Sequence, residues 1–254
     1  MDPDQEIYLR NFVKGLQRQI AYGQSVSLLP LFGRYRDPSS VREEGFYLST
    51  DEIHQLQRVR QLQGLHLKTL KRMGEIIETR DRNTHGHTDR MSDLAVRLSA
   101  GLGWKVERQE SLEIGTYLHD IGKVGVPAEI LNRTGHLTKR EFKHILKHPQ
   151  LGAALLRSVD FLHPIVPYVL YHQERYDGQG YPFGLSGKKI PVEGRVMAAL
   201  DTFDALTHAR PYRECMGLEE AIKALQKEAG QQLDPEIVEV FVGVLTVVPA
   251  SCLT

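Results

Sequence analysis

The chain has 254 residues with 32 basic and 32 acidic side chains, so its formal net charge is zero. This length suits one large domain, or a domain with a further regulatory segment. The balanced charge argues against binding of polymeric nucleic acid through overall electrostatic attraction. The two cysteines have no metal-ligand spacing. The apolar stretch at 237–250 is too short for a bilayer, and the N-terminus lacks a signal pattern. We therefore expect a cytoplasmic protein without a membrane partner.

The N-terminal quarter predicts two helices separated by an irregular stretch. Apolar residues recur at four-residue steps over residues 5–22, whereas prolines and glycines interrupt residues 24–48. A capping box at Ser49–Glu52 then opens an amphipathic helix that extends to about residue 80. This long helix packs on its own domain or forms a stalk for dimerisation or signalling. We interpret residues 1–65 as a regulatory or dimerisation segment of unknown fold.

The remainder, residues 66–254, is predicted to be helical throughout. Periodic apolar residues, capping boxes and glycine stops indicate helices near 85–101, 112–121, 138–146, 149–156, 164–172, 191–203, 217–229 and 235–247. Five glycines and prolines make residues 176–190 a loop. No convincing strand alternation follows residue 50, so the fold class is all-α.

One short stretch organises this domain. His119 and Asp120 stand side by side at the end of an apolar helical run, followed at once by Gly122 and Lys123. Adjacent side chains on a helix diverge by roughly 100°. The imidazole and the carboxylate therefore cannot easily bond to each other, but both can bind one external partner. A metal ion suits imidazole and carboxylate together. Taken alone, the pair favours the simpler interpretation of a capping aspartate beside a core histidine.

Four further metal-ligand side chains stand near predicted helix ends or on the polar spot of an apolar helix. They are His87, His148, His172 and Asp201. If all six side chains converge, they form two metal sites that share one bridging carboxylate. Such a pair suits phosphodiester hydrolysis, because a metal lowers the pKa of bound water to roughly 7 and two metals neutralise phosphoryl charge.

The ordered set of motifs resembles a known family. His87, the His119-Asp120 pair and Asp201 follow the pattern of the HD phosphohydrolase superfamily. The longer motifs resemble the HD-GYP family, whose members hydrolyse cyclic di-GMP in bacteria: His119-Asp120-Ile121-Gly122-Lys123, the run from His172 to Pro182, Asp201 with Asp204-Ala205-Leu206-Thr207, and Arg210-Pro211-Tyr212-Arg213. The resemblance covers roughly residues 75–248. It implies an HD-domain helical bundle with a dinuclear metal site.

The resemblance also implies a role for each site residue. One divalent metal would be held by His87, His119, Asp120 and Asp201, and Asp120 would bridge to a second metal on His148 and His172. The metals are expected to be iron or manganese, with nickel and zinc as alternatives. Lys123 would contact a phosphate oxygen or the attacking hydroxide, whereas guanine or phosphate would be held by Tyr181, Arg210 and Arg213. Ligand orientation would fall to Asp204, Glu174 and Arg175.

Two positions depart from the family pattern. The family has His-His-Glu where this chain has His172-Gln173-Glu174, and a glutamate where this chain has Asn83. We associate both with a third metal found in some members, and neutral amides are poor metal ligands. The sequence therefore predicts two metals rather than three.

The expected function is metal-dependent hydrolysis of cyclic di-GMP to pGpG, GMP or both. One alternative, favoured by Gln173, is a slow or inactive cyclic di-GMP receptor that acts through a signalling protein partner. Another is an HD hydrolase of a different cyclic dinucleotide or nucleotide, or more remotely a di-iron oxygenase. A homodimer through the N-terminal helices is a further expectation.

Overall fold

The computed structural model describes residues 50–81, 86–208 and 215–247. The helix predicted at 5–22 lies outside this part of the chain. The α-helices within it are α1 (Thr50–Arg80), α2 (His87–Gly101), α3 (Val106–Leu118), α4 (Ala128–Leu131), α5 (Lys139–Ile145), α6 (His148–Arg157), α7 (Val166–Tyr171), α8 (Val192–Thr207), α9 (Leu218–Glu228) and α10 (Pro235–Val247). Short 3₁₀ helices cover Ile121–Gly125, Asp160–Ile165 and Gly187–Lys189. The chain divides into two units, Met1–His66 and Leu67–Thr254.

The all-α prediction is confirmed for the described residues, in which two isolated bridges are the only β-type pairing. Helix α1 ends at Arg80, as its periodicity predicts. The predicted capping box at Thr138 is present, with the side chains of Thr138 and Glu141 each bonded to the other's backbone. Pro191 is the residue before α8 rather than its first helical residue. Among the described helices none is both long and apolar enough to cross a membrane.

The apolar core consists of two clusters of buried side chains. One joins α2, α8, α9 and α10, with Phe203 and Phe241 in edge-to-face contact at 5.3 Å between ring centroids. The other joins the end of α1 to α6 and the Asp160–Ile165 helix. Helices α3 and α7 contribute side chains to both clusters. These two central helices are therefore packed on both sides.

Glu110 on α3 is a polar exception in this packing. Its Oε2 atom is buried without a hydrogen-bond partner among the described residues. Burial, followed by the nearby Glu113 and Glu107 carboxylates, raises the pKa of Glu110 to about 8 from an ordinary 4.5. The folded chain then holds a proton that the unfolded chain releases, so stability falls as the pH rises from 4.5 to about 8.

We expect Glu110→Gln to remove this pH dependence. Above pH 8 the variant should be more stable by about 1–2 kcal/mol, a figure reduced for the partial exposure of the site. Below pH 4.5 the two chains should melt alike, because Glu110 is then neutral in both states. Thermal melts across this range provide the measurement. Equal melting temperatures at pH 9 would show that Glu110 is solvated.

Candidate metal centre

The six predicted ligands lie at the ends of helices or on one inward helical position. His119 follows the last residue of α3, and His172 follows the last residue of α7. The first residues of α2 and α6 are His87 and His148. Asp201 lies within α8. The predicted helix through Ile121 is therefore too long, because α3 stops at Leu118 and the His119-Asp120 pair forms the turn after it.

Three of these side chains form a first group, which contains His87, His119 and Asp201. The Nε2 atoms of His87 and His119 are 3.4 Å apart, and the His87 Nε2 atom is 3.5 Å from the Asp201 Oδ1 atom. Both histidines are almost completely buried, whereas Asp201 is partly exposed. One face of the group is thus open to solvent through its carboxylate.

Asp120, His148 and His172 form a second group. The Asp120 Oδ1 atom lies 3.3 Å from His148 Nε2 and 3.7 Å from His172 Nε2. The other carboxylate oxygen, Oδ2, lies 3.3 Å from the Nε2 atom of His119 in the first group. Asp120 therefore directs one oxygen towards each group, which is the arrangement of a bridging carboxylate.

The four histidines share one orientation. The Nδ1 atoms of His119, His148 and His172 lie 2.8–2.9 Å from the carbonyl oxygens three residues earlier in the chain. The Nδ1 atom of His87 lies 2.6 Å from Asp204 Oδ2. A proton on Nδ1 satisfies each of these acceptors and leaves Nε2 with a lone pair. All four Nε2 atoms are thereby presented as ligands.

The chemistry of this donor set fits divalent metal ions. When Nε2 is unprotonated, these nitrogens and the carboxylate oxygens are all acceptors, so their approach to within 3.1–3.7 Å favours a positive charge between them, from a metal ion or a proton. Nitrogen and oxygen ligands of this kind suit several first-row metals.

The protonation preferences of two histidines agree with this electrostatic field. Burial lowers the pKa of His119, but the Asp120 carboxylate outweighs burial and raises it to about 9. The site therefore attracts positive charge even in the absence of metal. Burial lowers the pKa of His172 to about 4, which keeps that imidazole neutral at physiological pH and available as a ligand.

Gly122 permits the second group to form. A Cβ atom on Gly122 would lie 1.9 Å from the carbonyl oxygen of His148 and 2.5 Å from the Gly152 nitrogen. The turn that follows Asp120 therefore lies directly against the backbone of α6. Only a residue without a side chain allows Asp120 and His148 to come this close.

Lys123 lies beside the candidate bridge. Its Nζ atom is 2.8 Å from Asp120 Oδ2 and 2.8 Å from Asp81 Oδ2, and all three side chains are largely buried. The two carboxylates outweigh burial and raise the pKa of Lys123, so it is a fixed cation. Asp81 was not predicted from the sequence as a site residue. Its position six residues before His87 gave no local signal, because the contact with Lys123 spans 42 residues.

Asp204, predicted to orient a ligand, is tied to the first group. It is buried, it accepts the His87 bond described above, and it also accepts from the Arg90 Nε atom at 2.7 Å. Burial raises the pKa of Asp204, but the bonds from His87 and Arg90 outweigh burial and hold it far below its ordinary value. The ionised carboxylate fixes the tautomer and ring orientation of His87.

We expect Asp204→Asn to weaken metal binding at the first group by roughly 10–100-fold, the usual effect of losing such an orienting partner. The amide removes the negative charge that holds the His87 ring and weakens the contact with Arg90. Manganese titration of the purified variant measures the change. Asp89→Asn, which removes an exposed ion pair between α2 and Lys71 of α1, should bind manganese as the wild type does. An unchanged titration for Asp204→Asn would contradict this role.

The predicted loop carries Tyr181 to the edge of the second group. The Tyr181 and His148 ring centroids are 6.3 Å apart, and the Tyr181 backbone N–H donates to the carbonyl of Gln173. The buried Glu174 carboxylate accepts from the backbone N–H groups of Phe183 and Leu185 at 2.7 and 3.0 Å. These bonds of Glu174 hold the backbone of the loop and do not involve a histidine ligand, whereas the sequence predicted a ligand-orienting role. Arg175 donates to the Asp177 carboxylate at 2.7 Å and to the Gln232 side chain at 3.3 Å, and both partners lie outside the two groups.

Three residues named from the sequence lie outside the described part of the chain. They are Asn83, Arg210 and Arg213. Their expected roles therefore stay predictions.

A helical bundle whose helix ends bring paired histidines and aspartates together is the arrangement of an HD domain. The family model described as "HD domain" matches residues 71–237, and the chain belongs to that family. Within it, the resemblance to the HD-GYP branch is confirmed by several relatives that are 33–36% identical.

The relatives include two proteins of known type. The chain is 36% identical over 199 residues to the cyclic di-GMP phosphodiesterase response regulator RpfG of Xanthomonas campestris pv. campestris, covering 78% of this chain and 50% of that protein. It is 34% identical over 171 residues to the 3'3'-cGAMP-specific phosphodiesterase 1 of Vibrio cholerae, covering 67% and 40% respectively. The chain spans about half the length, or less, of these curated relatives.

A solved structure shares the fold. The cyclic GMP-AMP-specific phosphodiesterase of V. cholerae superposes with a TM-score of 0.53 at 18% identity, covering 71% of this chain and 49% of that one. At this identity the likeness shows the helical architecture alone.

Proposed function

We propose that this chain is a metal-dependent phosphodiesterase that hydrolyses cyclic di-GMP. The carrying observation is the Asp120 carboxylate, with one oxygen directed to each of two histidine groups. The cyclic di-GMP phosphodiesterase of X. campestris supports the substrate. The proposal keeps residues 1–65 as a regulatory or dimerising segment and residues 66–254 as the hydrolase domain.

The two groups are proposed to hold two divalent ions, iron or manganese. His87, His119, Asp120 and Asp201 would hold one ion, and Asp120 with His148 and His172 would hold the other. When bound, such a pair supplies a water whose pKa is lowered to roughly 7 and neutralises charge on the phosphoryl oxygens. Neutral Gln173 beside His172 supports a count of two rather than three.

The remaining residues would bind and orient the substrate. The buried Lys123 cation, held between Asp81 and Asp120, is suited to a phosphate oxygen that gains charge during hydrolysis. Tyr181 lies beside His148, where its ring can contact a guanine base. Arg210 and Arg213 complete the proposal as phosphate or guanine ligands.

The test is incubation of the purified chain with manganese or ferrous iron and cyclic di-GMP, with products separated by chromatography. Conversion to pGpG or GMP supports the proposal and identifies the product. Tight binding of cyclic di-GMP without turnover would contradict the enzymatic activity and would favour a receptor that acts through a protein partner. Elemental analysis with three metals per chain would contradict the expected count.

A second candidate substrate is 3'3'-cGAMP, because the V. cholerae enzyme specific for that dinucleotide is nearly as similar to this chain as the X. campestris enzyme. The two substrates differ in one base, so the phosphate chemistry is the same for both. Competition between equal concentrations of the two dinucleotides ranks them directly. Faster consumption of 3'3'-cGAMP would replace cyclic di-GMP in the proposal.

A further inference from the structure

Glu78, in the last turn of α1, makes an unusual contact across the fold. Its side chain is buried, and its two carboxylate oxygens accept from two different backbone N–H groups. Oε2 accepts from Gly86 at 3.0 Å, and Oε1 accepts from Thr88 at 2.6 Å. The residue between these two donors is His87, a member of the first metal-ligand group. The carboxylate therefore accepts a backbone hydrogen bond from the residue on each side of this histidine.

Helix α2 needs such a contact. The first N–H groups of any helix lack partners within the helix. The residue before α2 is Gly86, which has φ of +68° and offers no capping side chain. Glu78 supplies the missing acceptor from another helix, and its negative charge suits the positive end of the α2 dipole.

Packing fixes the position of Glu78. One turn earlier in α1, a Cβ atom on Gly74 would lie only 2.4 Å from the carbonyl oxygen of Tyr117, so α1 lies directly on the backbone of α3. Leu70 and Ile77 are buried in the same contact. Because α3 leads into His119, a single rigid contact relates the Glu78 carboxylate to both histidines of the first group.

We infer that Glu78 is a positioning residue for His87 that sets how tightly the His87–His119–Asp201 group holds a divalent metal. His87 is fixed twice, through its backbone by Glu78 and through its ring by Asp204. The second group has a different support, because His148 and His172 bond to carbonyls three residues earlier in the chain. Loss of Glu78 should therefore affect the two groups unequally. The inference rests on the proposed function only for the identity of the sites as metal sites.

The test is Glu78→Gln, which keeps the size of the side chain. The amide has one acceptor oxygen, so one backbone N–H faces an NH₂ group, and the charge at the α2 terminus is lost. Titration with manganese alone should show one site as tight as in the wild type and one weakened by roughly 10–100-fold. At low manganese excess, the electron paramagnetic resonance spectrum of the wild type should show a coupled pair of ions, and that of Glu78→Gln should show a single isolated ion.

Glu141→Gln is the matched control. Glu141 is also a carboxylate that caps the start of a helix, α5, but it contacts neither group. Its variant should bind two manganese ions with wild-type affinities. Two unweakened sites in Glu78→Gln, or equal weakening of both sites, would overturn the inference.

Failure of the proposed function gives a different result. A wild-type chain that binds two manganese ions but leaves cyclic di-GMP intact would overturn the activity, and the Glu78→Gln titration would still decide the positioning role. A wild-type chain that binds no manganese would overturn both.

Discussion

Asp120→Ala should lower the turnover of cyclic di-GMP by about 10³-fold or more, because several kcal/mol of transition-state stabilisation depend on the paired metals. Asp120 has an oxygen within 3.3 Å of a histidine in each group, so alanine removes the one side chain common to both. It also leaves Lys123 with Asp81 as its remaining ion-pair partner. We expect both metal sites to weaken together.

The measurement combines turnover, followed by chromatography, with manganese titration of the same preparation. Asp160→Ala is the control, since the Asp160 side chain is 83% exposed and distant in sequence from every candidate ligand. That variant should match the wild type in both assays. Turnover of Asp120→Ala within a few fold of the wild type would contradict the metal-dependent mechanism. Loss of metal from one group alone would contradict the bridging position of Asp120.

The sequence predicts which side chains could bind metal, but it does not predict the contacts that orient them towards a common site. Periodicity located the helices, and family motifs named His87, His119, Asp120, His148, His172 and Asp201, which the structure brings into two groups. Nothing in the sequence indicated that three of the histidines share a carbonyl bond to the residue three positions earlier. That bond depends on where each helix ends, and periodicity leaves helix ends uncertain by about one turn.

Residues that support the ligands were the least predictable. Glu78 lies in the last turn of α1 and Asp81 directly follows that helix, where the sequence reads as an ordinary charged helix surface. Both are buried because α1 packs on α3, a contact made between residues about 40 positions apart. Burial of a charged side chain requires a partner, and the partners come from Lys123 and from the start of α2.

Gly122 shows how one residue type can be interpreted in two ways. In the sequence, Gly122 and Gly125 indicate the end of the helix that carries the His119-Asp120 pair. In the structure, helix α3 has already ended at Leu118, and Gly122 lies within a 3₁₀ helix that contacts α6. The glycine is required by close approach to another backbone, which no property of the local sequence reveals.

Gly122→Ala should therefore destabilise the fold by about 3 kcal/mol or more, at the upper end of the usual cost of overpacking, because the atom it meets is backbone rather than a flexible side chain. For a domain of this size that corresponds to a fall in melting temperature of roughly 6–12 °C. Relief of the clash moves the Asp120 turn away from α6, so manganese binding by the Asp120–His148–His172 group should weaken as well. Calorimetry and manganese titration measure the two effects.

Gly243→Ala is the opposite case and the control for this prediction. Gly243 lies within α10, and a Cβ atom there would meet nothing within 4 Å. Alanine should stabilise that helix by about 0.5–1 kcal/mol, since it restricts the unfolded chain without a clash in the folded one. The same substitution should thus have opposite signs at the two glycines. A Gly122→Ala chain that melts at the wild-type temperature and binds two manganese ions would show that α6 can move away from the turn, and that the close contact does not hold Asp120 and His148 together.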